Sequence, residues 1–181
     1  MFKAKMDHTE ETCLRLGEVQ NRCFGKLRDR IRILLAAVPL LTGCIVGIDN
    51  IFGVLLIVLA CMFYYKTAFM YRRDAHKAYS KTPERFRHVE YEFGEDEICI
   101  ESGGAEKKIS YKELYALRTD SEYGYLFING QQAYMFLWTA LSPKEQDDFK
   151  EFIARKTGKN WETVKIRPSF LDFLGRQYEV G

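Results

Sequence analysis

The stretch that decides the fold runs from Ile33 to Tyr65. It reads ILLAAVPLLTGCIVGI, then Asp49-Asn50, then IFGVLLIVLACMFYY, and Asp49 is its only charged residue. Each apolar arm is about 16 residues long, which gives a helix of roughly 24 Å. Snorkelling of the flanking basic side chains reduces the shortfall against a bilayer core of about 30 Å. The pattern predicts two transmembrane helices over residues 33–48 and 51–70, joined by a turn at Asp49 and Asn50 outside the membrane.

Two other structures compete for this stretch. A single span centred on Asp49 would be about 33 residues long, against the usual 17–25. It would also place a carboxylate at the bilayer centre, at a cost of about 2.5–3.5 kcal/mol. A hairpin buried inside a soluble protein is the other alternative, although the rest of the chain offers no second apolar surface large enough to wrap it. Within the hairpin, Gly43 and Gly47 form a small-xxx-small pair that can seat the second helix.

The distribution of basic residues is more informative than the net charge of +2, which is too small to argue for nucleic acid as a partner. Lysine and arginine cluster on both sides of the apolar stretch, and none lies in its turn. The positive-inside rule therefore predicts a multi-pass protein of the plasma membrane with both termini in the cytoplasm. We call the flanking residues the basic collar and predict that they contact anionic lipid and fix the topology. They are Lys26, Arg28, Arg30, Arg32, Lys66, Arg72, Arg73 and Lys77.

The segments outside the hairpin have their own patterns. Alternation over residues 2–6 predicts a short edge strand, and Thr9 is an expected N-cap of a helix that runs without a firm break into the first arm. That helix either packs on the folded domain, which its acidic residues favour, or lies on the inner leaflet. The tail either packs on the domain or touches the membrane. The predicted segments are 1–32, 33–71 (the hairpin), 72–83 (a helix and linker), 84–158 (the domain) and 159–181 (the tail).

Residues 84–158 have the texture of a small antiparallel sheet. Six short alternating segments between Arg87 and Trp138 are separated by turns, of which Asn129-Gly130 is the clearest hairpin signal. Ser142 and Glu145 then form a capping box that opens an amphipathic helix. The sequence therefore predicts a half-barrel closed by a C-terminal helix.

This layout, two apolar arms followed by the sheet and helix, resembles the bacterial YcxB-like family over residues 86–156. The resemblance implies an α+β membrane protein with a PH-like cytoplasmic domain, and it implies no particular biochemical role. The chain departs from the family pattern at residues 137–139 (Leu-Trp-Thr), where a proline and a basic residue are expected, so a lysine-dependent binding role there is in doubt. The matching features are Tyr91-x-Phe93, Ile98-x-Ile100, Ile109-Ser110-Tyr111, Tyr125-Leu126 and the last strand running into a capped helix.

Signals of catalysis are poor. No GxSxG, HExxH, GxxxxGK[ST] or GxGxxG motif occurs, and the five cysteines form no CxxC pair. The three histidines lie in unrelated contexts, and the acidic residues between Glu90 and Glu101 alternate along strands without the spacing of a calcium loop. The sequence predicts no enzyme, no cofactor and no metal.

The function that we predict is a non-enzymatic, membrane-anchored regulatory or scaffold module whose domain binds a protein partner or the membrane surface. The alternatives are an accessory subunit of a membrane transport or export complex, a module that binds anionic lipid, and a membrane enzyme with an unrecognised site. The expected partners are the lipid bilayer and an unknown protein, and homo-oligomers stay open.

Overall fold

The computed structural model describes residues 2–68 and 70–165, which form five α-helices, three short 3-10 helices and eight strands. The helices are α1 (Glu10–Phe24), α2 (Lys26–Val46), α3 (Ile51–Ala68), α4 (Met70–Lys81) and α5 (Pro143–Thr157). The strands are β1 (Phe2–Asp7), β2 (His88–Phe93), β3 (Glu97–Ser102), β4 (Ala105–Ser110), β5 (Ala116–Thr119), β6 (Tyr123–Phe127), β7 (Ala133–Leu137) and β8 (Trp161–Thr163).

The strands divide into two four-stranded sheets. The first has the order β1-β2-β3-β4 and is antiparallel throughout. The second has the order β7-β6-β5-β8 and is mixed, because β8 runs parallel to β5. The predicted N-terminal edge strand is confirmed, with Phe2 opposite Phe93 and Asp7 opposite His88. The expectation of one antiparallel half-barrel is wrong, since β8, in the segment predicted as a tail, adds a parallel edge. Residues 166–181 of that tail lie outside the described residues.

Aromatic side chains from both sheets and α5 meet in one core. The period-two alternation of β2 and β7 turns Phe93 and Phe136 inward, and both are fully buried. Phe149 of α5 contacts each of them edge to face, with ring centroids 4.6 and 5.4 Å apart respectively. The capping box at Ser142 and the left-handed Gly158 (φ 67°) set the ends of α5. The helix therefore presents its apolar stripe to both sheets.

The N-terminal helix packs against the domain and against α4. Thr9 caps α1 as predicted, its hydroxyl accepting from the Thr12 amide, and Val19 is fully buried in the core. The expectation of an unbroken helix into the first apolar arm is wrong, because Gly25 separates α1 from α2. A Cβ atom at Gly25 would lie 2.2 Å from the Asn21 carbonyl oxygen, so only glycine permits this close approach.

The prediction of a transmembrane hairpin, and with it of an α+β membrane fold, is wrong. Within residues 2–68 and 70–165, no single helix combines the length and the apolar character needed to cross a bilayer. The helices Ile51–Lys66 and Met70–Lys81 meet the length and hydropathy requirements only when they are taken as one segment, and the chain bends by 44° between them. The apolar part of each helix is too short because of its composition. Charged residues occupy most of the first two turns of α2, and the polar helix α4 follows α3. The described fold is α+β with a helical hairpin.

A nearly buried carboxylate ties α1 to the second sheet. Asp120 has a side chain only 4% exposed, and its Oδ2 accepts from Arg15 Nε at 3.2 Å and from the Tyr125 hydroxyl at 2.6 Å. Its Oδ1 accepts from the backbone amides of Glu122 and Tyr123, both at 2.8 Å. Every oxygen of this carboxylate is therefore satisfied, which is the condition for keeping a charge out of water.

We expect Asp120→Ala to lower the free energy of unfolding by about 3 kcal/mol, because it leaves Arg15 and the Tyr125 hydroxyl without their acceptor. Urea unfolding of the full chain in mild detergent measures the change. The matched control is Asp147→Ala, at a carboxylate 89% exposed, for which we expect a change below about 0.5 kcal/mol. Equal losses in the two variants would contradict the structural role of Asp120.

The edge strand is held partly by a histidine that can carry charge. On the exposed face of β2, His88 Nδ1 lies 2.6 Å from Asp7 Oδ1 and its Nε2 lies 3.2 Å from Glu90 Oε1. These hydrogen bonds raise the pKa of His88 above its ordinary value of 6.5. Burial lowers the pKa of the neighbouring His8 below the same value.

His8 and His88, which lie near the same end of the β1–β2 pair, should therefore titrate on opposite sides of pH 6.5. Because the pKa of His88 is raised on folding, its stabilising contribution is complete below the unfolded value and is lost as pH rises through the folded value. NMR titration of labelled histidines should place His88 above His8, and His88→Gln should reduce the fall in melting temperature between pH 6 and pH 8. The reverse order of titration would contradict the pairing of β1 with β2 by charge.

Candidate interaction surface

Small residues bring α2 and α3 into close contact. A Cβ atom at Gly43 would lie 2.8 Å from the Gly53 carbonyl oxygen, and one at Gly53 would lie 2.2 Å from the Gly47 carbonyl oxygen. Ala36 and Ala60 are 8% and 3% exposed on the same hairpin. The predicted seat at Gly43 is thus occupied by the second helix, and the backbones approach as closely as glycine allows.

Because the contact uses small residues, the large apolar side chains of the hairpin point away from it. Ile45 is 86% exposed, and most of the large apolar side chains on both helices are more than a third exposed. Soluble monomers rarely carry a contiguous apolar patch larger than a few hundred Å². We call this surface the hairpin surface, and its exposed members on the two helices include Leu34, Leu41, Ile45, Leu55, Leu59 and Met62.

A tight turn forms the tip of the hairpin. Gly47 adopts φ 92°, which favours glycine, and the Asn50 amide donates to its carbonyl oxygen at 3.3 Å. The side-chain oxygen of Asn50 accepts from the Phe52 amide at 2.9 Å and so caps the start of α3. Asp49 is exposed beside it. The two residues predicted to form the turn do so, and their position outside a membrane stays a prediction.

The basic collar lies at the opposite end of the hairpin, where its two halves meet. Arg32 Nη2 on α2 lies 3.9 Å from the Met70 sulfur at the start of α4, which joins the two sequence clusters. Lys77 is seven residues further along α4, about 10 Å at the rise of a helix. Arg28 lies on α2, and its side chain is outside the described residues. The structure thus gathers the predicted collar around the hairpin base, and its contact with lipid stays a prediction.

Open clefts flank the helices in the described part of the chain, and two of them contain a cysteine. The larger, about 750 Å³, lies between α1, α4 and the β6–β7 turn, where Gln20 donates to the Gln131 carbonyl oxygen at 3.0 Å. Burial raises the pKa of its one thiol, Cys13, which keeps that sulfur protonated and unreactive. The smaller cleft, about 550 Å³, lies beside β5 and contains Cys23. In the part of the chain that the structure describes, no three His, Cys, Asp or Glu residues converge as metal ligands.

The sequence alone did not single out two features of this region. Asp120 and Arg15 are 105 residues apart, and the only local sign of their role is the Asx turn that Asp120 makes with Glu122. Gly53 lies between bulky residues, and its role follows only once Gly47 faces it across the turn.

Comparison with known proteins matches one family. Residues 93–153, about a third of the chain, match the family described as YcxB-like protein. The match covers β3 through most of α5, which is the part of the domain on the C-terminal side of β2. No curated protein and no solved structure matches the chain.

We expect Gly53→Ala to push α2 and α3 apart, because the new methyl group would meet the backbone oxygen of Gly47. Overpacking of this kind costs about 1–3 kcal/mol, more than the roughly 1 kcal/mol that alanine gains over glycine in a helix. Thermal unfolding in mild detergent, followed by helical circular dichroism, measures the loss. Gly17→Ala is the control, since its Cβ would lie at an ordinary 3.4 Å from the Ala75 Cβ, and it should be neutral or stabilising. A stable Gly53→Ala would contradict the close packing.

Proposed function

Residues 93–153 form a YcxB-like domain, and on that premise we propose that this chain is a non-enzymatic, membrane-associated interaction module. In this proposal the hairpin surface is embedded in the lipid of the cell membrane. The domain then lies at the membrane surface, where it offers its sheets to a protein partner.

The observation that carries the proposal is the exposure of the hairpin surface. Apolar side chains such as Leu41 (62% exposed) and Leu55 (57%) face outward on both helices, and the hairpin contributes almost none of the buried core. Scattered exposed leucines are ordinary, but a continuous apolar surface on two paired helices is the signature of a buried interface. α3 is apolar on all sides, and helices of that kind are buried in a large core or in lipid.

Lipid suits this surface better than a protein groove because of how polarity is arranged along it. The hairpin has basic residues at its base and only Asp49 at its tip. Lysine and arginine at the ends of an apolar segment place their charged heads in the polar interface while their stems stay in lipid. The cytoplasmic leaflet carries the anionic lipid, so the proposal puts the domain on the cytoplasmic side. The PH-like character of the domain and a regulatory or scaffold role belong to this proposal.

Co-flotation of the full chain with neutral phosphatidylcholine vesicles tests the proposal. We expect the wild type to float, and Leu41→Lys with Leu55→Lys to reduce floating by at least tenfold, because each buried charge costs about 2.5–3.5 kcal/mol. Both positions are exposed in the fold, so the substitutions leave the core intact. Tyr115→Lys, at an equally exposed side chain on the domain (61%), is the matched control and should float like the wild type.

Two results would contradict the proposal. One is a wild type that stays dispersed in buffer without vesicles or detergent. The other is a stoichiometric protein complex in mild detergent that the Leu41→Lys and Leu55→Lys changes dissolve, which would make the hairpin surface the docking face of an accessory subunit.

A further inference from the structure

Several basic residues of the domain have carboxylate partners, whereas the exposed residues of the basic collar have none among the described residues. On the domain, Lys5 pairs with Glu90 at 2.6 Å, Lys108 with Glu97 at 2.8 Å, and Arg118 with Glu162 at 3.1 Å. At the hairpin base the exposed collar side chains have none among the described residues. They are Lys26, Arg30, Lys66, Arg73 and Lys77.

Charge is also segregated along the chain. Residues 26–32 and 66–77 hold eight of the 27 lysines and arginines and two of the 25 aspartates and glutamates. The rest of the chain therefore carries 19 basic and 23 acidic residues and is net negative. The two basic segments lie close together in the structure, since Arg32 on α2 contacts Met70 at the start of α4. A cluster of basic residues thus lies at the base of the exposed apolar hairpin surface.

We infer that the basic collar makes the module selective for anionic bilayers, by binding the phosphate groups of lipid headgroups around the base of the hairpin. The inference rests on the proposed function, because it requires the hairpin surface to be in lipid. Apolar side chains supply attachment to any bilayer, whereas unpaired cations attract only a negative surface. A soluble phosphate offers the same headgroup chemistry without the adjoining apolar layer, so the collar should bind it weakly.

The geometry favours a lipid surface over an acidic protein. The free cations lie around the base of one apolar hairpin, on α2, α3 and α4, so that a single surface meets them all as the hairpin is buried. An acidic protein would need to present carboxylates and an apolar groove of matching depth together. A bilayer with anionic headgroups has both layers at the required spacing by its nature.

A competition experiment tests the inference. The full chain is transferred from detergent to an equal mixture of dense phosphatidylcholine vesicles and light vesicles containing about 30% phosphatidylglycerol, which are then separated by density. With about fivefold partitioning per basic residue before screening, we expect at least tenfold enrichment on anionic vesicles at low salt. The preference should shrink strongly at 0.5 M salt, where charges are screened within a few ångströms.

Two matched variants locate the effect, each removing four exposed positive charges. The collar variant should distribute equally between the two vesicle types, while the control variant should keep the wild-type preference. The collar substitutions are Lys26→Gln, Arg30→Gln, Arg73→Gln and Lys77→Gln. The control substitutions are Lys107→Gln, Lys112→Gln, Lys144→Gln and Arg155→Gln.

The outcomes separate this inference from the proposed function. Equal distribution of the wild type overturns anionic selectivity and leaves membrane association in place, whereas absence from both vesicle types overturns both. Loss of the preference in the control variant to the same extent would assign it to net charge and overturn the role of the collar. Glycerol phosphate at millimolar concentration should leave the wild-type distribution unchanged, and strong competition by it would show a soluble-phosphate site instead.

Discussion

The contact between α2 and α3 is the constraint on which the rest of this structure depends. Two helices that meet through Gly43, Gly53 and small alanines leave little room for large side chains between them. The bulky apolar residues are consequently turned outward, and the hairpin cannot bury its own surface. Exposing that surface to water is unfavourable by about 25 cal/mol per Å², so its burial against lipid or another apolar surface would be favourable. The need for an apolar surrounding is thus a result of close packing as much as of composition.

The helix α1 links this hairpin to the folded domain. One face of α1 places Val19 in the core and Arg15 on Asp120, and its last turn places Phe24 against Phe127, with ring centroids 4.9 Å apart. The opposite face receives α4, where Gly17 allows Ala75 to approach. The two chain segments that connect the hairpin to the domain, α1 itself and α4, are therefore held in place through contacts of α1. Gly25 then permits the chain to pass from α1 into α2 without a side chain that would collide with the preceding turn.

Local patterns in the sequence predict much of this structure and fail where distant residues combine. Alternation in β2 and β3, the cap at Thr9, the capping box at Ser142 and the turn at Asn50 are all encoded within a few residues, and the structure has each of them. The transmembrane prediction is wrong because the apolar pattern continues from Lys66 to Met70 in the sequence, whereas the two helices that meet there differ in direction by 44°. The sequence does not predict the parallel pairing of β8 with β5 or the buried Asp120, for another reason. Each joins segments more than 40 residues apart, for which a single sequence holds no periodic signal.

The arrangement of charge would give the module an orientation at a membrane under the proposed function. The outer face of the first sheet carries Glu90, Glu92 and Glu101, while the free cations are gathered at the hairpin base. Near a negative surface the cations are attracted and the acidic face is repelled, so the two terms favour the same pose of the domain. Both fall off within about 8 Å at physiological salt, so only groups close to the surface contribute. The pairs Lys5–Glu90 and Lys3–Glu92 partly neutralise the negative charge of the sheet. Under the proposed function, the same segregation of charge that draws the hairpin base towards lipid turns the first sheet away from it.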